Sequence, residues 1–127
     1  MMNLIEVRTM LTPHPTSVGA ARRFVRDVLM SRQVSDGVVE TVELLTSEVV
    51  TNAIVHGRSG PQLAVDVGDH LVRVAVGDLS PQLPVRRQAR LDDVSGRGVV
   101  IIDELASAWG VERERNGAKR VWFEVSC

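Results

Sequence analysis

The chain has 127 residues but only one cysteine, Cys127, which is its last residue. A single thiol cannot form an internal disulfide or a cysteine zinc cluster, and a thiol at the terminus is a poor candidate for a nucleophile. Histidine is scarce too, and the three present, His14, His56 and His70, do not have the spacing of metal ligands. The sequence therefore gives no support to a thiol enzyme or to a histidine-based metal site.

The sequence also has no excess of either charge. It contains 15 Lys and Arg against 16 Asp and Glu, and a net charge of -1 offers no global attraction to nucleic acid or anionic lipid. No apolar run is long enough to cross a bilayer, and the first ten residues, MMNLIEVRTM, lack the order of a secretory signal. These features argue against a DNA-binding module and predict a cytoplasmic protein.

Size and apolar content fit one domain. With 44% hydrophobic residues the chain can bury a real core, so we expect a single domain over residues 1–127. Hydrophobic periodicity and turn residues predict the elements. In chain order these are a strand at Leu4–Met10, a helix at Ser17–Met30, a helix from Ser35 or Asp36 to about His56, strands at Leu63–Val67 and Leu71–Val76, a loop at Ser80–Ser95, a helix at Val99–Ala108, and a hairpin of Trp109–Arg113 and Lys119–Val125 around Asn116-Gly117.

Each predicted helix has one apolar face. The faces are Val18, Ala21, Val25, Val28 and Leu29 in the first helix, Val38, Val42, Leu45, Val49 and Ala53 in the second, and Val99, Ile102, Leu105 and Ala106 in the third. Thr16 or Ser17 is predicted to cap the first helix and Gly57 to end the second. A solvated face is the better interpretation of Arg22, Arg23 and Arg26, with an acidic partner as the alternative. Trp109, Trp122 and Phe123 are predicted to be packing residues.

The order of elements predicts an α+β fold. We expect a two-layer sandwich in which a mixed, mostly antiparallel sheet is covered on one face by three helices. The strand that begins at Leu71 delivers Asp78 at its end.

The second helix carries the most informative pair of residues. Within ELLTSEVVTNAIVHG, Glu48 and Asn52 are one turn apart and project from the same side of the helix. A carboxylate in this place suits proton acceptance, and a neighbouring carboxamide suits a hydrated cation, which together suggest phosphoryl transfer from a nucleotide. Taken alone, the pair is more often two ordinary polar residues on a solvated helix edge.

Four stretches together resemble a known family. They are SEVVTNAIVHG, VAVGDLSPQLP, SGRGVVIIDELASAWGV and WGVERERNGAKRVWFEV, and they span nearly the whole chain. Their order is similar to that of the Bergerat (GHKL, histidine kinase-like) ATPase fold, and most closely to the anti-sigma factor serine/threonine kinases of the RsbW and SpoIIAB type in their actinobacterial form. The resemblance implies the Bergerat α/β sandwich.

The resemblance also implies a role for each motif. Glu48 takes the general-base position and Asn52 the magnesium-ligand position, while His56 and Val99 are among the ATP-binding positions. Asp78 is implied to accept a hydrogen bond from the adenine amino group, although a turn aspartate bonded to its own backbone is a common alternative.

The glycine-rich stretch before the third helix is implied to hold the phosphates. Gly96 and Gly98 let backbone amides approach phosphate at a helix N-terminus, and Arg97 adds a charge-assisted contact. On its own, such a stretch is as often a structural turn. The cofactors implied are ATP and Mg²⁺.

The family implies the partners as well. These are a sigma factor, which is sequestered, a STAS-domain antagonist, which is phosphorylated, and a second copy of the chain in a homodimer. The main alternative is a sequestering protein of the same fold without transfer, favoured by Arg120, which replaces a small hydroxyl residue, and by the short lid at Ser80–Ser95. A detached histidine-kinase catalytic domain is a third alternative.

Overall fold

Five strands and three helices make up the computed structural model, which describes residues 5–56, 60–78, 96–113 and 118–127. In chain order the elements are β1 (Ile5–Met10), α1 (Ser17–Ser31), α2 (Asp36–His56), β2 (Pro61–Val67), β3 (Leu71–Asp78), α3 (Gly96–Leu105), β4 (Ala108–Arg113) and β5 (Lys119–Ser126). The predicted order of elements is confirmed. The predicted helix end at Gly57, the loop at Ser80–Ser95 and the turn at Asn116-Gly117 lie outside the described residues.

The strands form one sheet in the order β1-β2-β3-β5-β4. Every pairing between described strands is antiparallel. At the centre of the sheet, Val65 pairs with Val74 and Val74 pairs with Phe123. The predicted α+β sandwich is confirmed, and its described sheet is antiparallel rather than mixed.

The core lies between one face of the sheet and the helices. Alternate residues of a strand share a face, and the middle of one face of β2, β3 and β5 is apolar. Its buried side chains are Leu63, Val65, Val67, Val72, Val74, Val76, Val121, Phe123 and Val125. The helices contribute Ala21, Val25 and Leu29 from α1, Val42, Leu45, Val49 and Val50 from α2, and Ile102 from α3. The predicted apolar faces of the first two helices are confirmed.

The helix α1 begins after the predicted N-cap residue, but without a capping side chain. Thr16 is the N-cap residue but has helical backbone angles, and its side chain makes no capping hydrogen bond. The Ser17 N–H donates instead to the carbonyl of His14 at 2.8 Å, and the hydroxyl of Ser17 lies 2.7 Å from that of Thr12. A side-chain cap is therefore not used here, because the preceding turn already supplies a backbone acceptor.

The bounds of α3 also differ from the prediction. The helix begins at Gly96 and ends at Leu105, three residues earlier at both ends than expected. The N–H of Ser107 donates to the carbonyl of Glu124 in β5 at 2.7 Å, so the chain has already joined the sheet there. Leu105, predicted to face inward, is 43% exposed.

The longest element is α2, with 21 residues. It packs against α1 on one side and against α3, β2, β3 and β5 on others. Within the part of the chain that the structure describes, no helix has the length and apolar character needed to span a membrane. Because α2 contacts two helices and three strands, it is the element that can bring distant parts of the chain to one site.

Gly60, just before β2, is required by a close approach of two backbone segments. A Cβ built on it would lie 1.8 Å from the carbonyl oxygen of Leu11, and the neighbouring Leu11 N–H donates to Pro61 at 2.9 Å. We expect Gly60→Ala to lower the free energy of unfolding by about 1–3 kcal/mol, because the segments must separate to admit a methyl group. Urea denaturation would measure this.

The matched control is Gly37→Ala in the first turn of α2, where a Cβ would meet nothing within 4 Å. We expect this control to keep or raise the stability, since alanine favours a helix over glycine. An unchanged unfolding midpoint for Gly60→Ala would contradict the close approach.

Candidate functional site

Glu48 and Asn52 lie one turn apart on α2, as their spacing predicts. They differ in burial: Asn52 is only 9% exposed, whereas Glu48 is half-buried. The Asn52 side chain donates from Nδ2 to the carbonyl oxygen of Glu48 at 2.9 Å. The pair therefore places a buried amide one helical turn from a carboxylate at the border between the interior and the surface.

The hydrogen bond of Asn52 fixes the direction of its amide. Because Nδ2 is turned toward the helix backbone, Oδ1 is the end of the amide directed away from it. Among the described residues, no group of three or more His, Cys, Asp or Glu side chains could hold a metal ion. A cation here would take few protein oxygens and draw its other ligands from phosphates and water, which is how Mg²⁺ is usually bound. The Asn52 oxygen fits Mg²⁺ in this mode.

Glu48 borders a groove between α1 and α2. The groove has a volume of about 360 Å³ and is lined by Arg22, Arg26, Glu40, Glu43, Leu44, Ser47 and Glu48. The Glu48 carboxylate can therefore be approached from outside the protein, while Asn52, one turn further along α2, is only 9% exposed. This is the arrangement that a general base needs when its proton donor belongs to another molecule.

An ion pair between the buried carboxylate of Glu43 and exposed arginines of α1 links α1 to α2 beside Glu48. The Glu43 side chain is only 7% exposed, and its carboxylate accepts a hydrogen bond from Arg26 Nε at 2.7 Å, with Arg22 Nη2 at 3.6 Å. The hydrogen bond and the negative charge of Glu43 raise the pKa of Arg26. The sequence interpretation placed these arginines on a solvated face, because no pattern within one helix shows which residue of another helix it will meet.

The ion pair predicts an asymmetric effect on stability. Arg26→Met leaves the buried carboxylate of Glu43 with only Arg22, and we expect it to lower the free energy of unfolding, because a buried charge that loses its hydrogen bond is costly. Glu43→Gln should cost less, because the arginine side chains it leaves behind are 54% exposed and can be solvated. Arg23→Met is the control on the same helix, with no expected change. Equal losses for Arg26→Met and Glu43→Gln in urea denaturation would contradict this account.

Asp78 is the last residue of β3, where its backbone pairs with Pro61. The side chains of Asp78 and of His56, the last residue of α2, lie outside the described part of the chain. The predicted position of Asp78 at the end of a strand is confirmed.

Gly96, Arg97 and Gly98 form the first turn of α3, whereas the sequence predicted a turn preceding the helix. The N–H groups of a first turn have no partners within the helix, so this turn still offers backbone donors and the positive end of the helix dipole. The side chains of Arg97 and Val99 lie outside the described residues. Because α3 packs against α2, this turn belongs to an element that contacts the helix of Glu48 and Asn52.

Arg120 lies on the sheet face away from the helices. It pairs with Gly77, and a Cβ on Gly77 would lie 3.8 Å from Arg120 Cγ. The next residue, Val121, is buried on the helix side together with Phe123. Arg120 therefore lies on the opposite face of the sheet from α2, the helix that carries Glu48 and Asn52, and its nucleotide-facing position stays a prediction.

Trp122 packs flat on this outer sheet face. The Arg73 guanidinium carbon is 4.5 Å from its ring centroid, and Arg73 also pairs with Glu124 at 3.3 Å. A side chain at Gly110 would approach Trp122 to about 3.0 Å, so the glycine makes room for the ring. Phe123 is fully buried in the core. Trp109 is half-buried against the core, so the prediction that Trp109, Trp122 and Phe123 are packing residues is confirmed.

Comparison with known proteins agrees with this architecture. Residues 11–124 match the histidine kinase-like ATPase domain. The fold is similar to that of a chain in the crystal structure of the SiaB-SiaC complex from Pseudomonas aeruginosa, with a TM-score of 0.61 and 14% sequence identity over 95% of this chain and 89% of that chain. No curated protein matches the sequence significantly. The matched region contains every residue of the candidate site.

Proposed function

The chain belongs to the family of histidine kinase-like ATPase domains, and from this premise we propose that it is an ATP-dependent serine/threonine kinase that regulates partner proteins. The observation that carries the proposal is the placement of Glu48. Its half-buried carboxylate borders an open groove, and the buried amide of Asn52 lies one turn away on the same side of α2. One helix would thus place a base beside the hydroxyl of another molecule and an amide beside the nucleotide.

The proposed reaction transfers the γ-phosphoryl group of ATP to a serine or threonine hydroxyl. The hydroxyl oxygen attacks the γ-phosphorus, its proton passes to Glu48, and the bond to the β–γ bridging oxygen breaks, so that ADP leaves with the bonding electrons. Asn52 would hold Mg²⁺, which when bound offsets negative charge on the phosphates. Glu48 afterwards returns its proton to solvent through the groove.

The other site residues are proposed to bind the nucleotide. Asp78 accepts a hydrogen bond from the adenine amino group, and it would oppose the carbonyl that guanine presents at the same place. The first turn of α3, with Gly96, Arg97 and Gly98, donates backbone N–H groups to the phosphates. His56 and Val99 are proposed as further contacts with ATP. Each of these residues belongs to the matched region, and lies on α2 itself or on β3 or α3, which contact α2.

The proposed partners are proteins. We propose a sigma factor that is sequestered and a STAS-domain antagonist that is phosphorylated, in the cytoplasm, with a homodimer as the assembly. A similar solved chain occurs in a complex of two proteins, SiaB and SiaC, which supports a protein partner. The balanced charge of the chain gives no reason to invoke nucleic acid or membrane.

One argument for the alternative, a sequestering protein that does not transfer phosphate, is weakened by the position of Arg120. The alternative was favoured by Arg120, but Arg120 Cγ lies against Gly77 on the outer face of the sheet. Its other support, the lid at Ser80–Ser95, lies outside the described residues. The sequestering function would be shown by binding of ATP without transfer of phosphate.

Transfer of label from γ-labelled ATP to a purified STAS-domain protein tests the proposal. We expect the label on serine or threonine, where the phosphate ester survives acid. An acid-labile label would support the histidine-kinase alternative instead. Binding of ATP in calorimetry without any transfer would support the sequestering alternative, and the absence of ATP binding would contradict the proposed function.

A further inference from the structure

An exposed stripe on α2 has Glu48 at its centre. Leu44, Glu48, Thr51 and Val55 follow one another at spacings of four, three and four residues, so they share one side of the helix. Leu44 is 41% exposed and Val55 is 67% exposed, and Thr51 between them is also exposed. The candidate base is thus flanked along the helix by aliphatic side chains that the described fold does not cover.

Folding alone does not account for this stripe. A helix that is apolar on most of its sides is usually buried on most of its sides, and α2 already buries Val42, Leu45, Val49 and Val50 against the sheet and neighbouring helices. Single exposed aliphatic residues are normal, but here two of them flank a residue with a proposed chemical role. Exposed apolar surface next to a reactive group is typical of a surface that another molecule covers.

The neighbouring wall of the groove is basic. A second part of the groove, about 470 Å³, is lined by Gly19, Arg22, Arg23, Arg26, Asp27 and Glu43, and it shares Arg22, Arg26 and Glu43 with the part beside Glu48. Arg22 is 54% exposed and 3.6 Å from Glu43, so it retains donors for another acceptor. Arg23 forms no ion pair with any residue in the described ranges. The α1 wall therefore offers guanidinium groups to carboxylates of a bound molecule.

We propose that the stripe Leu44–Thr51–Val55 is the docking surface for the protein that supplies the acceptor hydroxyl. The partner that fits is a folded protein with a serine or threonine hydroxyl inside an apolar patch and acidic side chains on the side that meets Arg22 and Arg23. Docking would set the hydroxyl against Glu48, since this residue is the only carboxylate on the stripe between Leu44 and Val55. The assignment of the acceptor as occupant rests on the proposed function.

The test measures binding separately from transfer. A purified STAS-domain protein is titrated in calorimetry into the Glu48→Gln chain with ATP and Mg²⁺, so that the complex forms without turnover. We expect the further changes Leu44→Lys and Val55→Lys together to weaken binding of the STAS-domain protein by about ten-fold or more. In the wild-type background the same pair should raise KM for that protein and leave kcat and the ATP affinity unchanged.

One control and one further variant make the result decisive. The control, Met30→Lys, changes an apolar residue of similar exposure, 55%, on α1, and should leave binding unchanged. The further variant, Arg23→Glu, should weaken binding, because the proposed partner meets the α1 wall with acidic groups, and unchanged binding would contradict this contact. Unchanged binding in the Leu44→Lys, Val55→Lys chain would overturn the proposal, as would a loss of thermal stability in that chain, because the stripe would then be covered by the chain itself.

The failure of docking and the failure of the kinase function give different results. Binding of the STAS-domain protein that depends on the stripe, without any transfer by the wild-type chain, would overturn the kinase function and support the docking surface. Transfer that is unaffected by the stripe variants would support the kinase function and overturn the docking surface. A wild-type chain that does not bind the STAS-domain protein overturns the docking proposal.

Discussion

Glu48→Gln is expected to lower the rate of phosphoryl transfer by about 10²–10⁴-fold, the usual effect of removing a general base. Glutamine has nearly the same shape as glutamate but cannot accept the hydroxyl proton at neutral pH. The Asn52 amide bonds to the backbone carbonyl of residue 48, not to its side chain, so this contact survives the change. ATP affinity should therefore stay within about two-fold of the wild type, because Glu48 is proposed to stabilise the transition state of transfer and not the bound nucleotide.

Single-turnover transfer to a STAS-domain protein at saturating ATP would measure this effect. The matched control is Glu40→Gln, which changes another carboxylate that lines the same groove on the same helix. We expect the control to transfer at the wild-type rate. A Glu48→Gln chain as fast as the Glu40→Gln chain would show that Glu48 is not the base.

Asp78→Asn is expected to lower ATP affinity by about ten-fold or more. The ratio of ATP affinity to GTP affinity should fall by a larger factor than the ATP affinity itself. A charge-assisted hydrogen bond is about twice as strong as a neutral one, so an asparagine oxygen holds the adenine amino group less well. The asparagine nitrogen can also donate to the guanine carbonyl, which the aspartate would oppose. Both changes act against discrimination between the two bases.

Calorimetric titrations with ATP and with GTP, each with Mg²⁺, would measure the preference. Asp69→Asn is the control, since Asp69 is an exposed acid in the turn between β2 and β3. We expect Asp69→Asn to bind both nucleotides like the wild type. If Asp78→Asn keeps the wild-type ratio of ATP to GTP affinity, Asp78 does not recognise the adenine base.

Much of this fold follows from local patterns. The apolar repeats of α1 and α2 predicted which faces are buried, and alternation predicted the strands, because both periods are set by backbone geometry. The bounds of α3 were missed because the alanines at 106 and 108 favour a helix, whereas the hydrogen bond from Ser107 to Glu124 draws the chain into the sheet. Contacts between distant elements decide such boundaries, and they are not encoded in one segment.

The candidate site also combines features that are set within one element with features that depend on contacts between elements. The relation of Glu48 to Asn52 is a property of one helix and was predictable. The different burial of the two side chains, the ion pair of Glu43 with Arg26, and the outward side of Arg120 depend on how elements pack or pair. For a strand residue such as Arg120 a shift of one residue exchanges the two faces, so its side could be fixed only by the register with Gly77.

A crystal structure of the chain with a non-hydrolysable ATP analogue and Mg²⁺ would show whether Glu48, Asn52 and Asp78 meet around one nucleotide. We expect one nucleotide beside α2, with the adenine amino group about 3 Å from the Asp78 carboxylate, Asn52 Oδ1 bound to the metal ion, and the γ-phosphate on the same side of α2 as Glu48. A nucleotide bound on another surface, or Glu48, Asn52 and Asp78 facing separate regions of solvent, would contradict this expectation.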